Sequence, residues 1–127
     1  MSYYFAKSLD QPFDKAVEKT IEALKQHGFG VLTRIDVKST LKEKIGAEFR
    51  PYVILGACNP RMAHQALQAE DKIGTMLPCN VIVQEKDGKC EVAAVDPVAS
   101  MQAISNTALG AIATKVREEL KAVVQSL

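Results

Sequence analysis

The chain reads as an α+β two-layer sandwich: a mixed or mainly antiparallel sheet of about five strands, with helices packed on one face. Three observations predict it. Apolar runs of strand length alternate with stretches of helical periodicity. Two cap-plus-proline pairs, Asn59-Pro60 and Asp96-Pro97, start helices directly after such runs. Asp87-Gly88, a dipeptide favoured in two-residue hairpins, joins two consecutive strands and makes at least part of the sheet antiparallel.

Residues 3 to 8, rich in aromatics, suggest a short first strand. The turn cluster Asp10-Gln11-Pro12 then opens a helix with Pro12 at its first position. Phe13, Ala16, Val17, Thr20, Ile21 and Leu24 recur at spacings of three and four, one amphipathic stripe that Gly28 ends. Strand two is read over residues 30 to 37, with Val31, Thr33, Ile35 and Val37 on one face and Leu32, Arg34 and Asp36 on the other. Ser39 or Thr40 is expected to cap a brief helix through Ile45, before Gly46.

Residues 52 to 58 are nearly all apolar, which suits a strand with neighbours on both sides. Asn59 caps the next helix, whose buried side carries Met62, Ala63, Ala66 and Leu67 and which fades between Asp71 and Gly74. Two strands follow, at 81 to 86 and 89 to 95. Pairing Lys86 with Lys89 across the turn sets Glu85 opposite Cys90, Val83 opposite Val92, Val81 opposite Ala94 and Cys79 opposite Asp96. After Asp96-Pro97 the helical region should break near Asn106-Thr107, with Asn106 capping a last helix whose stripe is Ile112, Val116, Leu120, Val123 and Val124.

With 127 residues, one domain spanning 1–127 is expected, and no linker, repeat or low-complexity segment divides it. A composition of 47% hydrophobic and 24% charged residues is that of an ordinary globular domain. Sixteen basic against fifteen acidic residues leave +1. The charges are spread along the chain, which argues against nucleic acid as a partner. No apolar run approaches the ~20 residues that span a bilayer, and the first residues lack the pattern of a secretory signal, so a cytoplasmic location without membrane association is expected. There, three cysteines without a CxxC pair read as free thiols, ligands or redox groups.

Cys58-Asn59 and Cys79-Asn80 each place a cysteine and an asparagine where a strand meets a turn, and strand ends are where α/β-type folds collect ligand groups. The leading expectation is therefore a pocket for a small molecule or anion, built from Asp36, Cys58, Asn59, His64, Cys79, Asn80 and Asp96. Cys58 precedes a helix start, whose free amides and positive end favour a thiolate or receive an anion. A thiol-dependent enzyme would use Cys58 as nucleophile or redox centre and His64 as base. A zinc site would use Cys58, His64 and Cys79, with Asp96 as fourth ligand, although their spacing matches no zinc motif. Each residue also has a purely structural reading: buried thiols closing strands, asparagines in turns, Asp96 as a cap, His64 at a boundary. A domain that serves only to dimerise is the remaining alternative. No cofactor follows from these residues.

From Gly28 onward the chain resembles the family catalogued as domain of unknown function 302. The resemblance is carried by Gly28-Phe29-Gly30-Val31-Leu32-Thr33, Ile35-Asp36-Val37, Lys42-Glu43-Lys44-Ile45-Gly46 and Phe49-Arg50-Pro51-Tyr52. It continues through Ile54-Leu55-Gly56-Ala57-Cys58-Asn59-Pro60, Ala63-His64, Ile73-Gly74, Leu77-Pro78-Cys79-Asn80-Val81 and Asp96-Pro97. It implies a compact α+β domain, seen in relatives as a homodimer, and implies no activity. Where relatives often carry a proline-bearing turn between the last two helices, this chain has Ser105-Asn106-Thr107.

Overall fold

The computed structural model describes residues 2–127. Five strands, β1 (Tyr4–Leu9), β2 (Gly30–Asp36), β3 (Tyr52–Cys58), β4 (Cys79–Lys86) and β5 (Lys89–Val95), form one sheet in the order β1-β5-β4-β3-β2. Every pairing is antiparallel. Five α-helices connect them: α1 (Phe13–Gln26), α2 (Val37–Ile45), α3 (Pro60–Ala69), α4 (Pro97–Ser100) and α5 (Thr107–Ser126), with a 3-10 segment at Asp71–Met76.

The hairpin register is the expected one. Glu85 faces Cys90, Val83 faces Val92 and Val81 faces Ala94, and Asp87 and Gly88 both take positive φ, as the tight turn requires. Strand alternation then sends Val53, Leu55, Ala57, Cys79, Val81, Val83, Cys90, Val92 and Ala94 to one face. They are buried there under Ala16, Val17 and Leu24 of α1 and Val116, Leu120, Val123 and Val124 of α5. A smaller cluster of Ala66, Ile73 and Leu109 ties α3 and the 3-10 segment to α5. The opposite face carries Tyr52, Ile54, Ile82, Ala93 and Tyr4, with no buried helical residue from α2 to cover it.

Local signals set most element ends. Asn59, Asp96 and Asn106 each accept a backbone N–H with the side-chain oxygen, from Met62, Val98 and Ala108. Gly28 closes α1 at φ +85°. Pro12 is the residue before α1 rather than its first.

Strand two departs from expectation. A bulge at Leu32 shifts the register, so Val31 pairs with Ala57 on the helix side while Thr33 and Ile35 fall opposite Gly56 and Ile54 on the uncovered side. Val37 belongs to α2, because Asp36 is the cap: its carboxylate accepts from Ser39 N at 3.0 Å. Ser39 and Thr40 lie inside the helix.

Candidate functional site

The β3–β4 register brings the two cysteine corners together. Ala57 is the cross-strand partner of Cys79, so Cys58 lies at the same sheet end as Cys79, one residue out of phase with it in the strand alternation. Above this end, α3, α4 and α5 border a small, partly open void of about 40 Å³. Cys58, Cys79, Asn59, Met62, Ala63, Leu77, Met101 and Ile112 are among its walls. Almost every surface it presents is apolar. Asn59 is the exception, and its oxygen is already committed to the amide of Met62 at 3.3 Å.

Four of the seven expected pocket residues lie elsewhere. Asp36 sits at the far end of β2: Gly30 is the residue opposite Cys58, and Asp36 pairs with Val53. Six residues of strand put it roughly 20 Å away, capping α2. His64 is exposed on the outer side of α3 and is not part of the cavity wall. Asn80, the partner of Gly56, projects to the uncovered sheet face. Asp96 has left the ladder, its N–H donating to Tyr3 O at 2.8 Å, so the expected Cys79–Asp96 pair does not form. One Asp96 carboxylate oxygen accepts from Val98 N at 3.0 Å and the other from Arg117 Nε at 3.2 Å. Arg117 in turn lies over the Phe5 ring, 5.2 Å from its centroid.

The thiols run against the nucleophile reading. Burial pushes Cys79 up to about 11, and the neighbouring Cys58 sulfur adds to it. Burial raises Cys58 as well, so desolvation outweighs the helix amides where no cation stands beside the sulfur. Both sulfurs are protonated thiols at neutral pH. The zinc set does not assemble either: among the described residues, no three His, Cys, Asp or Glu side chains gather closely enough to hold a metal ion. Cys90 is buried near the hairpin turn, opposite Glu85 and far from the other two.

Sequence reasoning missed most of the cavity wall. Met62 was legible as a buried α3 position and Ile112 as part of the α5 stripe, but nothing assigned Ile112 or Met101 to this cavity. They reach the site only because α4 and α5 fold back over the sheet end.

No helix among the described residues is long and apolar enough to cross a membrane. Among curated proteins, none matches this chain. It is similar to a solved structure, that of an uncharacterized conserved protein DUF302 from Bacillus stearothermophilus, with 29% identity and a TM-score of 0.92 over 98% of each chain. The model of the family described as domain of unknown function DUF302 matches residues 5–127, and the chain belongs to that family.

Proposed function

We propose that this chain is a binding domain, taking a ligand of only a few atoms into the cavity at the Cys58–Cys79 corner and working as a homodimer through its uncovered sheet face. The observation that supports the first part is the convergence of both cysteine corners on one apolar void. Its size sets the scale. A pocket for a metabolite spans ~300–1,000 Å³, whereas about 40 Å³ has room for only a few water-sized atoms, one water needing ~10–15 Å³ of such space. Its lining disfavours an anion, which would lose hydration and gain no hydrogen-bond donor. The protonated thiols likewise favour binding over nucleophilic catalysis.

The cavity reading is tested by methyl NMR of methionine-labelled protein under xenon pressure. Shifts at Met62 and Met101 that saturate, with none at exposed Met76, are the expected result. Ala113→Leu, which fills the same void, should abolish them. Absent or uniform shifts overturn the reading.

The dimer is supported by the apolar content of the uncovered face. Tyr4 and Ile35 remain 44% and 47% exposed there, beside the half-buried Ile54 and Ile82. These apolar side chains are interleaved with Asn80, Gln84 and Glu91 on the same face, a mixture that suits the meeting of two copies of the chain.

A further inference from the structure

The register across the uncovered sheet face sorts its residues into rows. Ile35, Ile54, Ile82, Ala93 and Ala6 are successive cross-strand partners, so one apolar row runs over all five strands. The row is lopsided. Isoleucines stand on β2, β3 and β4 and alanines on β5 and β1. Toward the alanine side lies an open hollow of about 420 Å³, bordered by Tyr4, Tyr52, Ile82, Gln84, Glu91 and Ala93.

The next row carries charge. Tyr52, Gln84 and Glu91 are successive partners, and Arg50 donates from Nε to Gln84 Oε1 at 2.8 Å. The Arg50 guanidinium lies 4.4 Å from the Phe49 ring centroid and 5.6 Å from that of Tyr52, which holds the group in place. Its terminal nitrogens meet no acceptor among the described residues. Glu91 accepts Gln84 Nε2 on one oxygen at 3.0 Å, and its other oxygen meets no donor among them. An open donor and an open acceptor thus stand on either side of Gln84, at β3 and β5, the strands that flank the central β4.

We propose that a second copy of this chain occupies the face about a two-fold axis running along β4, so that Arg50 of each copy pairs with the partner's Glu91. The proposal rests on the dimer reading and gives it an axis and a register. Such an axis keeps each row over the same row and exchanges the flanking strands, so β3 comes over the partner's β5 and β2 over the partner's β1. Large then meets small. Ile54 enters the hollow above the partner's Ala93, Ile35 lies over the partner's Ala6, and Ile82 meets its own copy on the axis. Arg50, beside Tyr52 on β3, comes over the partner's Glu91 on β5, and symmetry makes this contact twice. An in-plane axis across the strands would instead set isoleucine against isoleucine and alanine against alanine. It would leave the hollows empty and part Arg50 from Glu91. The chosen axis also keeps the strands of the two sheets aligned, a regular way for sheets to stack.

Sedimentation of the full chain and its variants tests the pairing. Arg50→Glu and Glu91→Arg should each raise the dimer dissociation constant by about 100-fold, because symmetry places two like-charge contacts in each variant homodimer. Mixed in equal amounts, the two variants should associate with near-parental affinity, since both contacts are then again opposite in charge. Ile54→Ala and Ala93→Ile form a second such pair, matched by size, and carry the test if a charge reversal unfolds the chain. Weakening that mixing does not relieve would confine Arg50 and Glu91 to the Gln84 network of their own chain and overturn the proposal. Unchanged affinity in the single variants overturns it as well, and if Ile82→Glu still separates the copies, the dimer stands with a different register. A parent protein that does not dimerise ends both readings.

Discussion

Ala57 and Cys79 are cross-strand partners in the β3–β4 ladder, and this single pairing gathers the two cysteine corners at one end of the sheet. It also buries Cys79, which is 7% exposed, beside a second sulfur. Both effects hold the thiol protonated, and both make it a reporter of folding.

That burial predicts a pH dependence. The Cys79 thiol titrates at about 11 in the folded chain and near 8.5 when unfolded. The native state therefore holds the proton more tightly. Its contribution is fully present below about pH 8.5 and is lost as pH rises through the folded value, since the unfolded chain ionises first. By pH 11 the loss should be on the order of 3 kcal/mol. Urea unfolding from pH 8 to 11 checks it: Cys79→Ala should show a flatter decline than the parent, and parallel curves would contradict the assignment.

Gly56 predicts a steric failure. A Cβ there would meet Thr33 Oγ1 at 2.2 Å and Pro78 Cγ at 2.7 Å, distances that force both neighbours to move. Gly56→Ala should destabilise by about 1–3 kcal/mol. Adding Thr33→Ala should restore only part of this, because the Pro78 ring remains. Full recovery in the double variant would show that Thr33 alone sets the limit.

How much of this was legible follows from where each signal lives. Asn59-Pro60, Asp96-Pro97, Asn106 and Asp87-Gly88 act through their own backbone, and each appears in the fold where local chemistry put it. The β2–α2 junction did not, because Asp36, Ser39 and Thr40 are all competent caps and α2 has no buried stripe to set its phase. Asp36 was misplaced for a different reason. Both ends of a strand look alike until its register is known, and the bulge at Leu32 is a tertiary feature. His64 was partly readable: with Met62, Ala63 and Ala66 turned inward, residue 64 falls on the outer side of the helix.

The uncovered sheet face predicts the assembly state. Sedimentation at micromolar concentration should give twice the 13.8 kDa chain mass. Ile82 lies on that face in the middle strand, so Ile82→Glu should shift the population to the 13.8 kDa species without unfolding it. A parent protein that sediments only at chain mass would exclude the dimer.

Thiol reactivity separates a binding cavity from a thiol enzyme. Cys58 is half-buried, and Cys79 and Cys90 are buried. Burial raises all three, with Glu85 adding to Cys90. Alkylation needs the thiolate, so a raised pKa lowers the reactive fraction at neutral pH, while burial also limits access. Cys58 should label first, and its rate should climb through pH 9 without a plateau near neutrality. Cys79 and Cys90 should label only at the rate at which the chain opens, a rate that urea raises. His64→Ala should leave the Cys58 profile unchanged, because the imidazole is exposed and forms no part of the cavity wall. A plateau below pH 8 that disappears in His64→Ala would instead establish a thiolate–imidazolium pair and return Cys58 to the role of nucleophile.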